Sequence, residues 1–292
     1  MTDEALAKAI NLPCWSGPVS PQPLGGGITN LNYVVEDGGK KYVARIADDI
    51  VLHQIMRFNE LAGSRAASES GISPQVIFAE HGALVIEFIE GKTLANEDIQ
   101  KRETLERILP IIKICHQDVK KYLRGPVLSF WVFHVVNDYA LTLKNANSRM
   151  LPELPRLLTA ATQLETAVGA IDIVYGHNDL LAGNFIDDGS KIWLIDWDYA
   201  GFNSPLFDLG GIASNCELSL ADEEWLLENY FEKPLHNELR HQYFAMKCAS
   251  LMRESMWSMV SEIYSTIDFD YPKYTESNLK AFDEKFEIFL SM

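Results

Sequence analysis

The stretch Tyr175-Gly-His-Asn-Asp-Leu-Leu-Ala-Gly-Asn-Phe-Ile186, followed by Ile192-Trp-Leu-Ile-Asp-Trp-Asp-Tyr199, constrains this chain more than any other part of it. Each half reads as a short apolar strand that gives way to a carboxylate. Asp179 and Asn184 stand five residues apart, and Asp196 follows twelve residues later. A carboxylate or amide just beyond an apolar strand adds little to a core. It does aim an oxygen into whatever cleft lies at the strand's end. Three such oxygens suit a hard divalent cation such as Mg²⁺, with phosphates and waters completing an octahedron.

The chain's 292 residues, 47% hydrophobic and 23% charged, suffice for one large or two modest domains with a real core. No apolar run reaches the length of a bilayer span, so membrane insertion is not expected. The acidic start Met1-Thr-Asp-Glu-Ala lacks the basic and apolar regions of a signal peptide, which makes a cytoplasmic location the default expectation. Cys14, Cys115, Cys216 and Cys248 are far apart, as reduced, mostly buried thiols rather than a disulfide framework or zinc site would be. A formal net charge of −16 repels nucleic acid and anionic membranes and attracts a small cation. It also simply keeps a protein in solution. Nothing in the sequence indicates an oligomeric state.

Along the chain, residues 1 to about 16 suit a short helix with Ala5, Leu6, Ala9 and Ile10 on one face. Four prolines between 13 and 23 then break helical structure. Gly25, Gly26 and Gly27 lead into a strand to Val35, a Glu36-Asp-Gly-Gly39 turn and a returning strand Lys41–Ile46, a strong hairpin signal. Helical spacing covers 50–70, and a second hairpin runs through 76–79 and 84–89. From Thr93 on, helical patterns dominate, near 101–122, 129–147, 152–169, 205–216, 221–231, 235–265 and 273–290. Pattern alone thus gives an α+β chain: a small β-rich N-terminal lobe over residues 1–90, a connector at about 87–92, and a larger, mainly helical lobe over 91–292. Ligands favour such junctions.

The glycine run is either a plain turn or a loop whose backbone N–H groups approach phosphates, with Thr29 and Asn30 adding polar groups. Arg45 is either a surface arginine or a fixed cation facing phosphates from beneath the hairpin. Glu60, on the first long helix, is the natural carboxylate to orient it, although Arg57, one turn earlier, offers an ordinary local pair. Asp179, Asn184 and Asp196 carry the most specific signal. Their spacing is that of kinase catalytic and metal-binding loops, and they follow a glycine loop and a β-rich lobe in the expected order. Asp179 would accept or orient a substrate hydroxyl proton, and Asn184 and Asp196 would hold Mg²⁺. His177 is expected to brace the loop. Asp198, on the same face of an extended strand as Asp196, would assist the metal or meet a cationic substrate. Asp208 is expected to be a structural carboxylate at a helix start. Most of the C-terminal aromatics should be packing, yet Trp257, Phe269 and Tyr274 could wall a site for a quaternary ammonium.

His177-Asn-Asp-Leu-Leu-Ala-Gly-Asn184, Ile195-Asp-Trp-Asp-Tyr-Ala-Gly201 and Phe207-Asp208 resemble the phosphotransferase motif of choline/ethanolamine kinases, within the aminoglycoside-phosphotransferase-like kinases. Leu24-Gly-Gly-Gly-Ile-Thr-Asn30, Tyr42–Ile46 and Ile267–Tyr271 before Tyr274 fit as well, so the resemblance spans about 20–290. It implies a protein-kinase-like two-lobed fold and transfer of the γ-phosphoryl group of ATP, with Mg²⁺, to a small alcohol. It further implies that Gly26, Gly27, Thr29, Asn30, Arg45, Glu60 and the backbone of Glu87 to Ile89 meet the nucleotide. Asp179 would be catalytic, Asn184 and Asp196 the metal ligands, and Asp179, Asp198, Trp257 and Tyr274 the contacts to choline or a related cationic amino alcohol. Two positions depart from the family pattern: Glu254 replaces a pocket tryptophan, and Asn215 stands where an acidic residue is usual. Thiamine or an aminoglycoside is the alternative acceptor, and a non-catalytic, pseudokinase-like binding protein is the alternative of another class.

Overall fold

The computed structural model describes residues 2–25 and 30–292. Gly26, Gly27 and Thr29, expected to approach a nucleotide, lie outside the described residues. The chain opens with helix α1 (Thr2–Ile10), then strands β1 (Gln22–Leu24), β2 (Leu31–Asp37) and β3 (Lys40–Ile46), helix α2 (Arg57–Glu69), and strands β4 (Val76–Glu80) and β5 (Ala83–Glu87). The strands form an antiparallel sheet in the order β1-β2-β3-β5-β4. Positive φ at Gly38 and Gly39 makes the tight β2–β3 turn, a conformation that glycine adopts without Cβ strain. Alternation along β3 buries Ala44 and Ile46 under α1, where Ala5, Ala9 and Leu12 cover the sheet, and turns Arg45 to the opposite face. Ile10, expected on the apolar face of α1, is exposed.

The expected helix over 50–70 begins only at Arg57. Before it, Ile50 and Ile55 form an isolated β-bridge around a short turn with Gln54 left-handed at φ 60°. The periodicity of Ile50, Val51 and Ile55 is therefore that of a loop that buries Ile55 and leaves Val51 in solvent. Asp49 Oδ1 caps the true helix start by accepting from Arg57 N at 2.7 Å.

The second part begins with β6 (Lys92–Thr93) and α3 (Asn96–Ile99), then α4 (Arg102–Gln117), α5 (Val132–Asn145) and α6 (Leu154–Val168). The short strands β7 (Val174–Gly176), β8 (Phe185–Asp187), β9 (Ile192–Leu194) and β10 (Gly201–Asn203) follow, then α7 (Pro205–Asn215), α8 (Leu220–Phe231), α9 (Asn237–Tyr264) and α10 (Tyr271–Leu290). The seven helices α4 to α10 match the seven segments expected from periodicity to within about five residues, and α3 is not among them. β6, β8 and β9 form one small sheet, and β7 pairs with β10. The large core runs through α4 to α10, with α9 at its centre. Gly210 lets α7 cross α9 closely, since a Cβ there would meet Lys247 Cα at 2.9 Å.

Helix α2 docks on the segments around Tyr175 and Trp197 through two features. A Cβ at Gly63 would meet Tyr175 Oη at 2.9 Å and Trp197 Cβ at 3.3 Å, so only glycine allows this approach without a shift. Buried Asn59 donates to Ala200 O at 2.7 Å and accepts from Leu128 N at 2.9 Å. The face of α2 carrying Glu60 is fixed against the strand ends as a result. The fold is protein-kinase-like: a small antiparallel sheet with one docked helix, followed by a mainly helical remainder.

Candidate active site

Strand β7 delivers His177, Asn178 and Asp179 to the mouth of a cleft of about 510 Å³ between the sheet and the helices. The loop is held from behind. Asp208, in the first turn of α7, accepts from His177 N at 2.8 Å, from Asn178 N at 2.7 Å and from His116 Nε2 at 2.9 Å. Burial would push this carboxyl up, but the His116 hydrogen bond and charge hold it below its usual value. The structural role expected for Asp208 is thus observed. Cys115, His116 and Asp208 lie close enough together to hold a metal ion, but their donors are committed inside the protein, Cys115 Sγ to Tyr175 O and His116 Nδ1 to Tyr230 Oη. Asn178 takes φ 63° and spends its amide on Tyr199 O and Asn203 Nδ2. His177 donates from Nε2 to Ile195 O at 2.9 Å and packs edge-on to Trp197, which braces the loop as expected.

Asp179 projects into the cleft, and among the described residues its carboxylate takes no hydrogen bond. Burial pushes its carboxyl up to about 8; Arg253 opposes this, while Glu254, Asp196 and Asp198 add to it. Asn184 donates from Nδ2 to Asp179 O at 2.8 Å, which leaves its side-chain oxygen open to the cleft. Ile195 N donates to Asn184 O at 2.9 Å, bringing the two strand ends together. Asp196 follows in the left-handed region at φ 71°, a conformation uncommon for non-glycine residues.

Arg45 Nη1 lies 2.7 Å from Glu60 Oε1, 2.9 Å from Asp196 Oδ1 and 3.0 Å from Asp198 Oδ1. Arg57 joins the same cluster, 2.7 Å from Glu60 Oε2 and 2.9 Å from Asp198 Oδ1, and its Nη2 donates to Asn30 Oδ1. Asn30 Nδ2 in turn donates to Asp198 Oδ2 at 3.0 Å. Glu60 is therefore shared, so the two pairings open from sequence coexist. Both oxygens of Asp198 are occupied, Oδ1 by Arg45 and Arg57 and Oδ2 by Asn30, and the residue lines the cleft. Burial works against the charge on Asp196, but Arg45 holds its carboxyl below the usual value.

Glu87, Phe88 and Ile89 line the far end. The amides of Glu87 and Phe88 are used by Gln75 O and Lys41 O. Among the described residues the Ile89 amide has no backbone partner. At the other end Trp257 donates from Nε1 to Tyr199 Oη at 2.9 Å, and Tyr274 Oη donates to Glu254 Oε1 at 2.8 Å. Arg57, Tyr199 and Arg253 were not singled out for the site by sequence reasoning. The position of Arg57 one turn before Glu60 was the available signal, but its partner Asp198 is 141 residues away.

The sequence profile of choline/ethanolamine kinases matches residues 22–226. The chain belongs to the choline/ethanolamine kinase family. It is 28% identical over 303 residues to a probable ethanolamine kinase A of Dictyostelium discoideum, covering 93% of this chain and 86% of that one. It is 26% identical over 275 residues to a protein named LicA of Haemophilus influenzae, covering 90% and 78%. Its fold is similar to the crystal structure of choline kinase LicA from Streptococcus pneumoniae, with a TM-score of 0.78 at 23% identity, covering 97% of this chain and 99% of that one. As a member of this family the protein is a phosphotransferase with an alcohol group as acceptor. Among the described residues no helix is long and apolar enough to cross a membrane.

Proposed function

We propose that this protein transfers the γ-phosphoryl group of ATP, in the presence of Mg²⁺, to the hydroxyl of choline or a related cationic amino alcohol. The observation that carries the reading is the open Asp179 carboxylate, between the Asn184 and Asp196 oxygens on one side and an aromatic, acidic end of the cleft on the other.

The residues present fit a divalent cation. The Asn184 amide nitrogen is tied to Asp179 O, so its oxygen is the free atom, and Arg45 occupies only Oδ1 of Asp196. These two side chains would hold Mg²⁺, which when bound neutralises charge on the transferring phosphoryl group. Arg45, oriented by Glu60, would face the phosphates together with Arg57, and we assign Asp198 to that side as the carboxylate that spaces the two guanidiniums. The Ile89 backbone would meet the nucleobase, with Glu87 beside it. Asn30, already bonded to Arg57 and Asp198, would seat the glycine loop that contains Gly26, Gly27 and Thr29.

In the reaction the acceptor oxygen bonds to the γ-phosphorus, the bond from that phosphorus to the β–γ bridging oxygen breaks, and ADP leaves. The hydroxyl proton passes to Asp179 in its ionised form, which the charge of a divalent cation held by Asn184 and Asp196 would favour, and the same carboxylate aims the hydroxyl. Positioning and charge neutralisation carry most of such a reaction, and no covalent enzyme intermediate is needed. Trp257 and Tyr274 would flank the cationic head.

The test measures ADP release from Mg·ATP with choline, ethanolamine, thiamine and an aminoglycoside as acceptors, with mass detection of the phosphorylated product. Turnover with choline or ethanolamine is expected. Stimulation by none of the four, or by thiamine or the aminoglycoside alone, would overturn the reading.

A further inference from the structure

On the cleft side of α9, Glu254 is a carboxylate with little freedom. Tyr274 Oη donates to Oε1 at 2.8 Å and Arg253 Nη1 to Oε2 at 2.9 Å. Arg253 is itself immobilised. Its side chain is 5% exposed, and its guanidinium lies 4.2 Å from the ring centre of Tyr199 and 5.6 Å from that of Phe130. An ionised carboxylate offers about four acceptor sites, and these two donors fill about half of them. The side chain keeps 25% exposure and lines the cleft that holds Asp179. A carboxylate held from two sides with acceptor sites still open is built to receive a donor from a third.

Two of the three cleft-lining aromatics at this end, Tyr199 and Trp257, are largely committed elsewhere, which leaves Tyr274. Arg253 covers a face of Tyr199, and Trp257 is 4% exposed with its indole N–H already bonded to Tyr199. A trimethylammonium group has no N–H and depends on open aromatic faces. An ammonium that keeps an N–H instead donates a short, charge-assisted hydrogen bond of about 2.8 Å. This wall offers more to the second than to the first.

We propose that Glu254 is the specificity-determining residue of the acceptor site, and that it selects amino alcohols whose ammonium retains at least one N–H, such as ethanolamine and its N-methyl and N,N-dimethyl derivatives, over choline. The proposal rests on reading this cleft as the acceptor site of a kinase. Arg253 and Tyr274 act as positioning residues that hold the carboxylate in place. The selection lies in a missing hydrogen bond, not in a clash, so choline is a poorer acceptor and is not excluded.

The experiment is kcat/KM for ethanolamine, its mono- and dimethyl derivatives and choline, with the wild-type protein, Glu254→Gln and Glu254→Asp, each first shown to be folded by thermal unfolding. For the wild type the expected pattern is small changes down to the dimethyl compound and a drop of about tenfold to a hundredfold at choline, where the last donor is lost. In Glu254→Gln the ethanolamine-to-choline ratio falls by about tenfold or more, chiefly through the KM of ethanolamine. Glu254→Asp keeps the charge and recovers part of that ratio. Equal use of ethanolamine and choline by the wild type overturns the proposal and leaves the kinase reading standing. A ratio unchanged in Glu254→Gln does the same. Turnover of none of the four compounds by the wild type overturns both.

Discussion

Arg45 and Glu60 are paired at 2.7 Å across the gap between β3 and α2, with side-chain exposures of 11% and 2%. Glu60 also takes Arg57 at 2.7 Å, so one buried carboxylate bridges two guanidiniums. Removing Glu60 takes one hydrogen-bonded partner from each arginine, at a cost of about 1–3 kcal/mol, while Asp196 and Asp198 keep both guanidiniums paired. Glu60→Ala should therefore lower the urea unfolding free energy by roughly that amount, whereas Glu60→Gln, which keeps the shape, should lose less stability and raise the KM for ATP by about tenfold. A Glu60→Ala protein as stable as the wild type would show that the pair does not organise the cluster.

Asp179 has no protein donor on its carboxylate among the described residues and projects into the cleft beside Asn184. If it takes and aims the acceptor proton, Asp179→Asn should cut kcat by about 10²–10⁴ and leave the affinity for Mg·ATP close to that of the wild type. The two quantities separate in a titration of nucleotide binding run beside the turnover assay. A kcat within twofold of the wild type would remove Asp179 from the chemistry.

Asp196 presents the reverse case. Its left-handed backbone and its bond to Arg45 fix one oxygen and leave the other for a cation. Chelation with EDTA should abolish turnover, and added Mg²⁺ should restore it. Asp196→Asn should stay folded, since Arg45 keeps Glu60 and Asp198 as partners, but should need much higher Mg²⁺ for any residual activity. An unchanged Mg²⁺ dependence in that variant would shift the metal assignment to other residues.

Much of this arrangement is written locally in the chain. The strand ends that bring Asp179, Asn184 and Asp196 together lie within twenty residues of sequence, so their spacing alone carries the geometry. The hairpin that turns Arg45 outward follows from two glycines and period-two alternation. What escaped depends on contacts between distant segments. Arg57 is a helix residue whose role is set by Asp198, and Arg253 is one of many charged residues on α9 until Tyr199 folds beneath it. Asp196 and Asp198 both meet Arg45, but past the end of β9 and through a left-handed Asp196 rather than along an extended strand, and Arg57 joins Arg45 on Oδ1 of Asp198, which no spacing rule reveals. The late start of α2 has the same origin: its cap is Asp49, eight residues upstream, across a left-handed turn that helical periodicity hides.

Asp208 gathers three donors at once, two of them the backbone amides of His177 and Asn178. An asparagine there supplies one acceptor oxygen and turns an NH₂ toward donors, so at least one buried N–H loses its partner at a cost of about 1–3 kcal/mol. Asp208→Asn should lower stability by about that much and also reduce kcat well below the folding transition, because the displaced loop carries Asp179. Circular dichroism melts and assays at 25 °C on the same sample distinguish the two effects. A variant with reduced stability and full kcat would confine Asp208 to folding.

His53 lies 7% exposed beneath Trp257, with Nδ1 3.2 Å from Tyr139 Oη and Nε2 3.2 Å from Ser261 Oγ. Burial, reinforced by the nearby Arg253 charge, pushes its imidazole down from 6.5 to about 3. The unfolded chain thus binds a proton below pH 6.5 that the folded protein refuses. The stability that goes with the neutral ring is complete above pH 6.5 and is lost as the pH falls toward 3, with a slope of up to about 1.4 kcal/mol per pH unit from this one group. Burial lowers His177 as well, which adds a loss of the same sign. Asp179, whose carboxyl is pushed up to about 8, works in the opposite direction in both proteins, so the decisive quantity is a difference: from pH 7.5 through 6.0 to 5.0 the urea unfolding free energy of the wild type should fall relative to that of His53→Gln, where an amide replaces the titrating ring and His177 remains. Equal slopes in the two proteins would mean that His53 accepts its proton in the folded state, and that the support beneath Trp257 holds with a charged ring in place.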